Sequence, residues 1–234
     1  MIQTYFFDLD GTLLPLDEQH FLDLYMSIIG EKFYSLGYEP KSMIQKLWAG
    51  TKAMVMNDGK QTNESVFWDV FHPELEGREA LEKALVLFYN NEFHQLMDSV
   101  KRSQYAIKII DLLKSRGKDI YLLTNPIFPY IATKNRMRWA GLDEKLFKHI
   151  TTYENSYYAK PNLKYYQSVL KQFNLTPQAV MMVGNDVDED MIVESIGMET
   201  FLITGCIKNK HNKAIGSYKK GTLKEFYEYL LQQD

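Results

Sequence analysis

Apolar residues follow two different spacings along this chain. The run TYFF, residues 4–7, combines aromatic and β-branched side chains and predicts a short strand buried on both faces. From about residue 16 to residue 100, apolar positions instead recur at the i, i+4, i+7 spacing of amphipathic helices, as at Phe21, Tyr25 and Ile28. No convincing strand pattern occurs in this second stretch, so we expect an all-helical block.

Strand and helix patterns alternate in the remainder of the chain. The predicted strands are residues 119–124, 149–153, 179–184 and 200–204. Amphipathic helices separate them, and several end at a glycine, which suits the left-handed backbone that often closes a helix. This alternation predicts an α/β fold, with a Rossmann-like parallel sheet covered by helices on both faces. We therefore expect a core domain formed by residues 1–15 and 101–234, and a helical domain, residues 16–100, inserted after the first strand.

Composition narrows the class of partners. The chain has 234 residues, of which 45% are hydrophobic and 24% are charged, and its formal net charge is -3. This balance argues against nucleic acid as the main partner, because binding to a phosphate backbone draws on clustered Lys and Arg. Cys206 is the single cysteine, and no apolar run approaches the roughly 20 residues of a membrane span. We therefore expect a cytoplasmic enzyme, monomeric or homodimeric, without membrane or nucleic-acid partners.

Polar residues follow the predicted strands. They are Asp8, Asp10 and Thr12 after the first strand, Thr124 and Asn125 after the second, Lys160 after the third, and Asn185 and Asp186 after the fourth. Ligands of open parallel sheets bind beyond the carboxyl ends of the strands. We therefore expect these side chains to surround one ligand.

The carboxylates among them predict a metal ion. Asp8 and Asp10 are two residues apart, so their side chains project from the same side of an extended backbone. If the strand before Asp186 lies beside the first strand, about 4.8 Å away, three carboxylates converge. At about 5 Å and an effective dielectric constant of about 20, each pair of like charges costs on the order of 3 kcal/mol. Mg²⁺ offsets this repulsion and suits a site with few carboxylates that also takes a substrate phosphate.

Four segments in this order resemble the motifs of the haloacid dehalogenase superfamily, in its phosphatase branch. They are DLDGT at 8–12, LLTN at 122–125, Lys160 within AKPN, and GNDVDED at 184–190. The resemblance covers roughly residues 1–15 and 100–205. It implies a Mg²⁺-dependent phosphohydrolase that acts on a small phosphorylated metabolite.

The resemblance also implies roles for the matching residues. Asp8 attacks phosphorus and carries an aspartyl-phosphate intermediate, and Asp10 acts as general acid and base. The implied Mg²⁺ ligands are the Asp8 carboxylate, the Asp10 backbone carbonyl, Asp186, and Asp190 either directly or through water. Asn185 stands where many members have an aspartate, which leaves open whether Asp186, Asp190 or Asn185 is the direct ligand.

Binding of the phosphoryl group is implied for five residues: Gly11, Thr12, Thr124, Asn125 and Lys160. Thr124 and Lys160 also count among the catalytic residues, since a hydroxyl and a cation stabilise phosphoryl oxygens.

The helical block resembles the first cap type of this family, which closes over the site and selects the substrate. Hinges are expected near residues 14–17 and 98–104. Aromatic residues of the block, such as Phe67, Trp68 and Phe71, belong mostly to its own core, although some can face the substrate. The sequence does not separate these two groups of aromatic residues, so it leaves the substrate open.

Other functions compete with this one. A phosphosugar mutase of the same fold would return the phosphoryl group to substrate instead of water, and the sequence does not distinguish it. A dehalogenase is disfavoured because halide leaves without a proton, whereas the chain has an acid at Asp10. A non-enzymatic phospho-accepting receiver module combines similar residues, but it lacks a helical insertion of this size.

Overall fold

The computed structural model describes residues 2–72, 74 and 76–233. Its centre is a six-stranded, fully parallel sheet in the order β3-β2-β1-β4-β5-β6. The strands are β1 (Thr4–Phe7), β2 (Asp119–Leu122), β3 (His149–Ile150), β4 (Val180–Gly184), β5 (Glu199–Ile203) and β6 (Lys220–Gly221). This sheet confirms the predicted α/β, Rossmann-like fold.

Eight α-helices accompany the sheet in the described residues. They are α1 (Glu18–Ser35), α2 (Pro40–Val55), α3 (Asn63–Phe71), α4 (Arg78–Asn90), α5 (Gln104–Ser115), α6 (Tyr130–Ala140), α7 (Leu163–Gln172) and α8 (Leu223–Leu231). Short 3₁₀ helices occur at Glu92–Ser99, Glu144–Leu146, Pro177–Ala179 and Met191–Ile196. None of the helices in this part of the chain has the length and apolar character needed to span a bilayer.

The first strand is buried on both faces, as its sequence predicts. Tyr5 and Phe7 belong to one apolar core, and the Phe7 ring lies 6.2 Å from that of Phe226 in α8. Phe6 points to the opposite face and packs in a second core with residues of α7 such as Tyr166. Because β1 lies between β2 and β4 in the sheet, the chain that follows Phe7 emerges between two other strand ends.

Helices α1–α4 and the 3₁₀ helix Glu92–Ser99 lie between β1 and α5, and no strand occurs among the described residues from 18 to 99. The expected all-helical block is therefore present. Its two connections to the sheet lie side by side, because Lys101 N donates to Pro15 O at 2.8 Å. Tyr25 packs against Phe128 with ring centroids 5.6 Å apart. The division into core and cap domains stays a prediction.

The structure departs from the predicted elements at three places. Strand β3 has two residues instead of five, because Thr152 N turns to the side chain of Asn155 and leaves the sheet. The helix expected before Gly197 is the 3₁₀ segment Met191–Ile196. Strand β6 has no counterpart in the sequence prediction, since two residues carry no detectable periodicity.

Candidate active site

Asp8 is the first residue after β1, and its position is fixed by backbone pairing. Its N–H donates to Val183 O in β4 at 3.0 Å, and its side chain is almost fully buried. The chain then turns at Gly11, whose φ of +84° is a left-handed conformation that favours glycine. A Cβ at Gly11 would also overlap the side chain of Asn185. Gly11 therefore allows the loops after β1 and β4 to touch beside Asp8.

Lys160 forms ion pairs with two buried carboxylates, those of Asp8 and Asp190. Its side chain is 1% exposed, and Nζ lies 2.9 Å from Asp8 Oδ1 and 2.6 Å from Asp190 Oδ1. Asp190 is equally buried, and its second oxygen, Oδ2, accepts a hydrogen bond from Asp186 N at 3.0 Å. A buried cation with two anionic partners is held at a fixed place, since leaving any of the three unpaired is costly.

Burial and charge act in opposite directions on this cluster. Burial lowers the pKa of Lys160, but the carboxylates of Asp190 and Asp8 outweigh it and hold this pKa well above its ordinary value. Burial raises the pKa of Asp190 more than Lys160 lowers it. Lys160 therefore stays protonated, as a residue that neutralises phosphoryl oxygens must.

Thr12 and Asn185 support Asp8 from the side. Thr12 is fully buried, and its Oγ1 lies 2.9 Å from Asn185 Oδ1 and 3.3 Å from Asp8 Oδ2. The hydroxyl has one proton, so it can donate to only one of these oxygens at a time. Asn185 Nδ2 in turn donates to Cys206 O at 2.7 Å. Thr12 therefore links Asp8 to Asn185 in the loop after β4.

Asp186 lies in a tight loop after β4. Its Oδ1 accepts from the N–H groups of Asp188 and Glu189 at 2.8 Å and 3.0 Å. Its Oδ2 lies 3.3 Å from Lys208 Nζ, which also contacts Glu18 in α1 at 2.9 Å. One oxygen of Asp186 is thus fixed by the loop, and the other pairs with Lys208.

The oxygen donors fit a magnesium ion with few protein ligands. Within residues 2–72, 74 and 76–233, no three His, Cys, Asp or Glu side chains are arranged so that they could hold a metal together. Two carboxylates, Asp8 and Asp186, and the backbone carbonyl of Asp10 nevertheless match the preference of Mg²⁺ for one or two carboxylates plus water and substrate oxygens. Asp190 fits less well as a direct ligand, because its side chain is 1% exposed, compared with 9% for those of Asp8 and Asp186.

Asp10 has a buried partner that the sequence analysis missed. Arg136, in α6, is 1% exposed and its Nη1 forms an ion pair with Asp10 Oδ2. The guanidinium also lies 4.5 Å from the ring centroid of Phe128. Asp10 Oδ1 is buried without a hydrogen-bond partner. Burial raises the pKa of Asp10, although Arg136 opposes the rise.

The signal for Arg136 was present in the helix pattern. Arg136 falls between Ala132 and Ala140 at intervals of four residues, so it lies on the buried face of α6. A basic residue on a buried face requires an anionic partner, but the fold decides which acidic residue that partner is.

Thr124 and Asn125 follow β2 as predicted. Thr124 is buried in the cavity wall, and its carbonyl accepts from the hydroxyl of Tyr165 at 2.8 Å. Asn125 Oδ1 accepts from Lys160 N at 3.3 Å, and its Nδ2 donates to Glu189 at 3.4 Å. Asn125 thus joins the second strand end to the loops that carry the lysine and the acids.

All predicted site residues gather at one end of one cavity of about 1090 Å³. Eight of them contribute directly to its wall: Asp8, Asp10, Gly11, Thr124, Asn125, Asn185, Asp186 and Asp190. Thr12 and Lys160 do not line the wall and lie behind Asp8, which both contact. Helices α1–α4 form much of the remaining wall.

The family model described as haloacid dehalogenase-like hydrolase matches residues 2–193. None of the curated protein sequences compared with the chain matches it significantly.

Three solved structures illustrate the similarity of the fold. A HAD phosphatase from Thermococcus onnurineus has a TM-score of 0.61 and 17% identity, with 98% of each chain covered. A predicted phosphoglycolate phosphatase from Haemophilus somnus has a TM-score of 0.59 and 16% identity, again with 98% of each chain covered. A HAD hydrolase, YfnB, from Bacillus subtilis, described as bound to magnesium, has a TM-score of 0.56 and 21% identity, covering 98% of this chain and 99% of that one. Dehalogenases are also among the similar structures, so the likeness shows the fold alone.

Proposed function

Because the chain belongs to the haloacid dehalogenase-like hydrolases, we propose that it is a Mg²⁺-dependent phosphatase of a small phosphorylated metabolite. The observation that carries this proposal is the position of Asp8. Its carboxylate lines the cavity while Lys160 holds one of its oxygens at 2.9 Å. A fixed carboxylate beside a buried cation is suited to attack a phosphoryl group, since the cation offsets the charge of both.

The proposed reaction has two steps. The Asp8 carboxylate bonds to phosphorus as the bond from phosphorus to the ester oxygen breaks, and that oxygen takes the proton of the Asp10 carboxyl and leaves as an alcohol. Asp10 then accepts a proton from water, whose oxygen attacks phosphorus and releases inorganic phosphate and free Asp8. The raised pKa of Asp10 supports its role as the acid, and the ion pair with Arg136 supports a fixed orientation of its carboxyl.

The remaining polar residues are assigned to binding. Asp8, Asp186 and the Asp10 carbonyl would hold Mg²⁺, which when bound neutralises charge on the phosphoryl group. Thr124 and Asn125, in or beside the cavity wall, would donate hydrogen bonds to phosphoryl oxygens. Asp190 is assigned to positioning, because it holds Lys160 and the Asp186 backbone.

The helical block is proposed to act as a cap. It supplies much of the cavity wall opposite Asp8, so its closure would exclude water from the reacting groups. Lys208 supports such closure, because its Nζ bridges Glu18 of α1 and Asp186 of the core.

The mutase alternative is distinguished by its product, since a mutase returns phosphate to an alcohol and releases none. A dehalogenase needs no acid for its leaving halide, and the raised pKa of the Asp10 carboxyl favours the phosphatase over it.

The test of this proposal is metal-dependent release of inorganic phosphate from a panel of phosphate monoesters. We expect chelation with EDTA to lower release by about 100-fold or more, because Lys160 alone then offsets the repulsion between Asp8 and phosphate. Added Mg²⁺ should restore it. Asp186→Asn should raise the Mg²⁺ concentration for half-maximal activity by about tenfold or more. Asp188→Asn is the matched control, since the Asp188 carboxylate pairs with Lys213 at 2.6 Å outside the cavity. Release that is indifferent to EDTA would contradict the metal role.

Asp10→Asn tests the general acid. We expect a loss of about 10²–10⁴ in kcat for an alkyl phosphate, the usual contribution of such a group. The loss should be smaller for 4-nitrophenyl phosphate, because its leaving oxygen departs with little need of a proton. Asp111→Asn, at an exposed position of α5, serves as the control. Equal losses for both esters would mean that Asp10 does not protonate the leaving group.

A further inference from the structure

The wall of the cavity away from Asp8 is predominantly apolar. Helices α1, α2, α3 and α4 contribute, among others, Met26, Leu47, Trp48, Phe67, Leu85 and Val86. Of the three aromatic residues considered from the sequence, Phe67 and Trp68 line the cavity, whereas Phe71 is fully buried and stacks on Phe67 at 4.9 Å. Covering an apolar wall of this kind is favourable when the group that covers it is also apolar, because apolar surface is then removed from water.

Two of these side chains are largely exposed to solvent. Trp48 is 46% exposed and Val86 is 51% exposed, although both are large apolar residues on the cavity wall. The cavity volume of about 1090 Å³ slightly exceeds the usual range for small-molecule sites, about 300–1000 Å³. The cavity therefore has room for a substrate much larger than its phosphoryl group.

The charges that the helical block adds to this wall are negative. They come from Glu18, Glu64, Glu82 and Asp98, and no Lys or Arg of the described residues 18–99 lines the cavity. On the core side, Arg136 pairs with Asp10, and Lys208 pairs with Glu18 and Asp186. Lys101 and Lys210, which are both exposed, also line the cavity, outside residues 18–99. A second anionic group on the substrate, placed under the helical block, would meet carboxylates.

Resting on the proposed function, we propose that the substrate is the phosphate monoester of an apolar alcohol, alkyl or aryl, without a second anionic group. The phosphoryl group lies at Asp8, and the alcohol extends along the apolar wall between α1, α2 and α4. Sugar phosphates and phosphorylated carboxylic acids are poor substrates, because this wall is largely apolar and its helical part presents carboxylates but no Lys or Arg of the described residues 18–99.

The first experiment measures kcat/KM for ethyl, butyl and hexyl phosphate and for hexyl phosphate bearing a terminal carboxylate. Each buried methylene is expected to raise kcat/KM about fourfold, which corresponds to about 0.8 kcal/mol. Hexyl phosphate should therefore exceed ethyl phosphate by on the order of 100-fold, mainly through a lower KM, because uniform binding acts on KM. The terminal carboxylate should remove most of this gain.

A matched pair of variants on α4 locates the effect in the cavity. Val86 and Leu87 are neighbours and are 51% and 57% exposed, but only Val86 lines the cavity. Val86→Asp should lower kcat/KM for hexyl phosphate about tenfold and leave ethyl phosphate within about twofold, because it adds a carboxylate where the alkyl chain binds. Leu87→Asp, which adds the same charge one residue away, should change neither.

The outcomes separate this inference from the function on which it rests. If ethyl phosphate is hydrolysed in a metal-dependent way but kcat/KM is flat or falls with chain length, the apolar substrate class is wrong and the phosphatase proposal stands. The same conclusion follows if Val86→Asp and Leu87→Asp behave alike. If no ester is hydrolysed above the rate without enzyme, both proposals fail.

Discussion

Asp8→Asn is expected to lower phosphate release by about 10⁵–10⁶-fold, the order of loss seen when an enzyme is deprived of its nucleophile. An amide does not form the acyl-phosphate bond on which the proposed first step depends. The fold should survive, because asparagine has the same shape, its oxygen can still accept from Lys160, and Lys160 keeps Asp190 as its anionic partner.

The control for this substitution is Asp119→Asn. Asp119 lies at the start of β2, at the opposite end of the strand from the site, and its carboxylate pairs with the half-exposed Lys148 at 2.8 Å. We expect wild-type activity from this variant and a loss in stability of at most about 1 kcal/mol, typical of surface ion pairs. An intact mass for each protein ensures that the new amide has not reverted to the acid.

A trapping experiment tests the same assignment independently. Acid quenching of the wild-type enzyme during turnover of a radiolabelled ester should leave label on the peptide that contains Asp8, and Asp8→Asn should leave none. Activity of Asp8→Asn within about tenfold of wild type, or label on another residue, would remove Asp8 from the nucleophilic role.

Lys160→Met is expected to lower the free energy of unfolding by about 3–5 kcal/mol, since removing one partner leaves buried charge without compensation. Lys160 is 1% exposed and contacts Asp8 and Asp190 at 2.9 Å and 2.6 Å, so both carboxylates lose their cation at once. Domains typically have about 5–15 kcal/mol of stability in total, which makes this a large fraction. Activity should fall as well, because Lys160 is assigned to charge neutralisation on the phosphoryl group.

The destabilisation should depend on pH in a defined direction. Burial raises the pKa of Asp190 in the folded protein, and Lys160 partly opposes this rise. An acid whose pKa is higher in the folded than in the unfolded protein binds more protons in the folded state. Its contribution to the free energy of unfolding is therefore present at low pH and is lost as the pH rises through the folded-state pKa. Without Lys160 the pKa of Asp190 rises further. The loss in stability of Lys160→Met should therefore be larger at about pH 8 than at about pH 5, as measured by urea denaturation.

Two further proteins complete this test. Lys171→Met, at an exposed position in the last turn of α7, should unfold like the wild type. The double variant Lys160→Met with Asp190→Asn should recover part of the lost stability and most of the pH dependence, because it removes a carboxylate together with the cation. If Lys160→Met unfolds at the wild-type urea concentration over this pH range, Lys160 is not held as a buried ion pair.

Much of the fold was predictable because its signals are local. The apolar run before Asp8 identifies β1, and glycines suited to a left-handed turn, such as Gly117 and Gly141, close α5 and α6 near the predicted positions. Strand β6 was missed because Lys220 and Gly221 have no pattern of their own and pair only with the end of β5. Strand β3 was predicted too long for a related reason, since the turn at Thr152 depends on the side chain of Asn155.

The sequence by itself determined which residue types stand at the strand ends, because periodicity and spacing are properties of neighbouring positions. Only the tertiary structure decided which of them touch. It gave Lys160 two carboxylate partners, Asp8 and Asp190, and it paired Asp10 with Arg136 from a distant helix. It also turned Phe67 into the cavity and left Phe71 out of it. These contacts join residues that are far apart in the chain, and they form only when separate helices and strands pack together. The residues that neighbour a side chain in the sequence therefore do not identify its contacts.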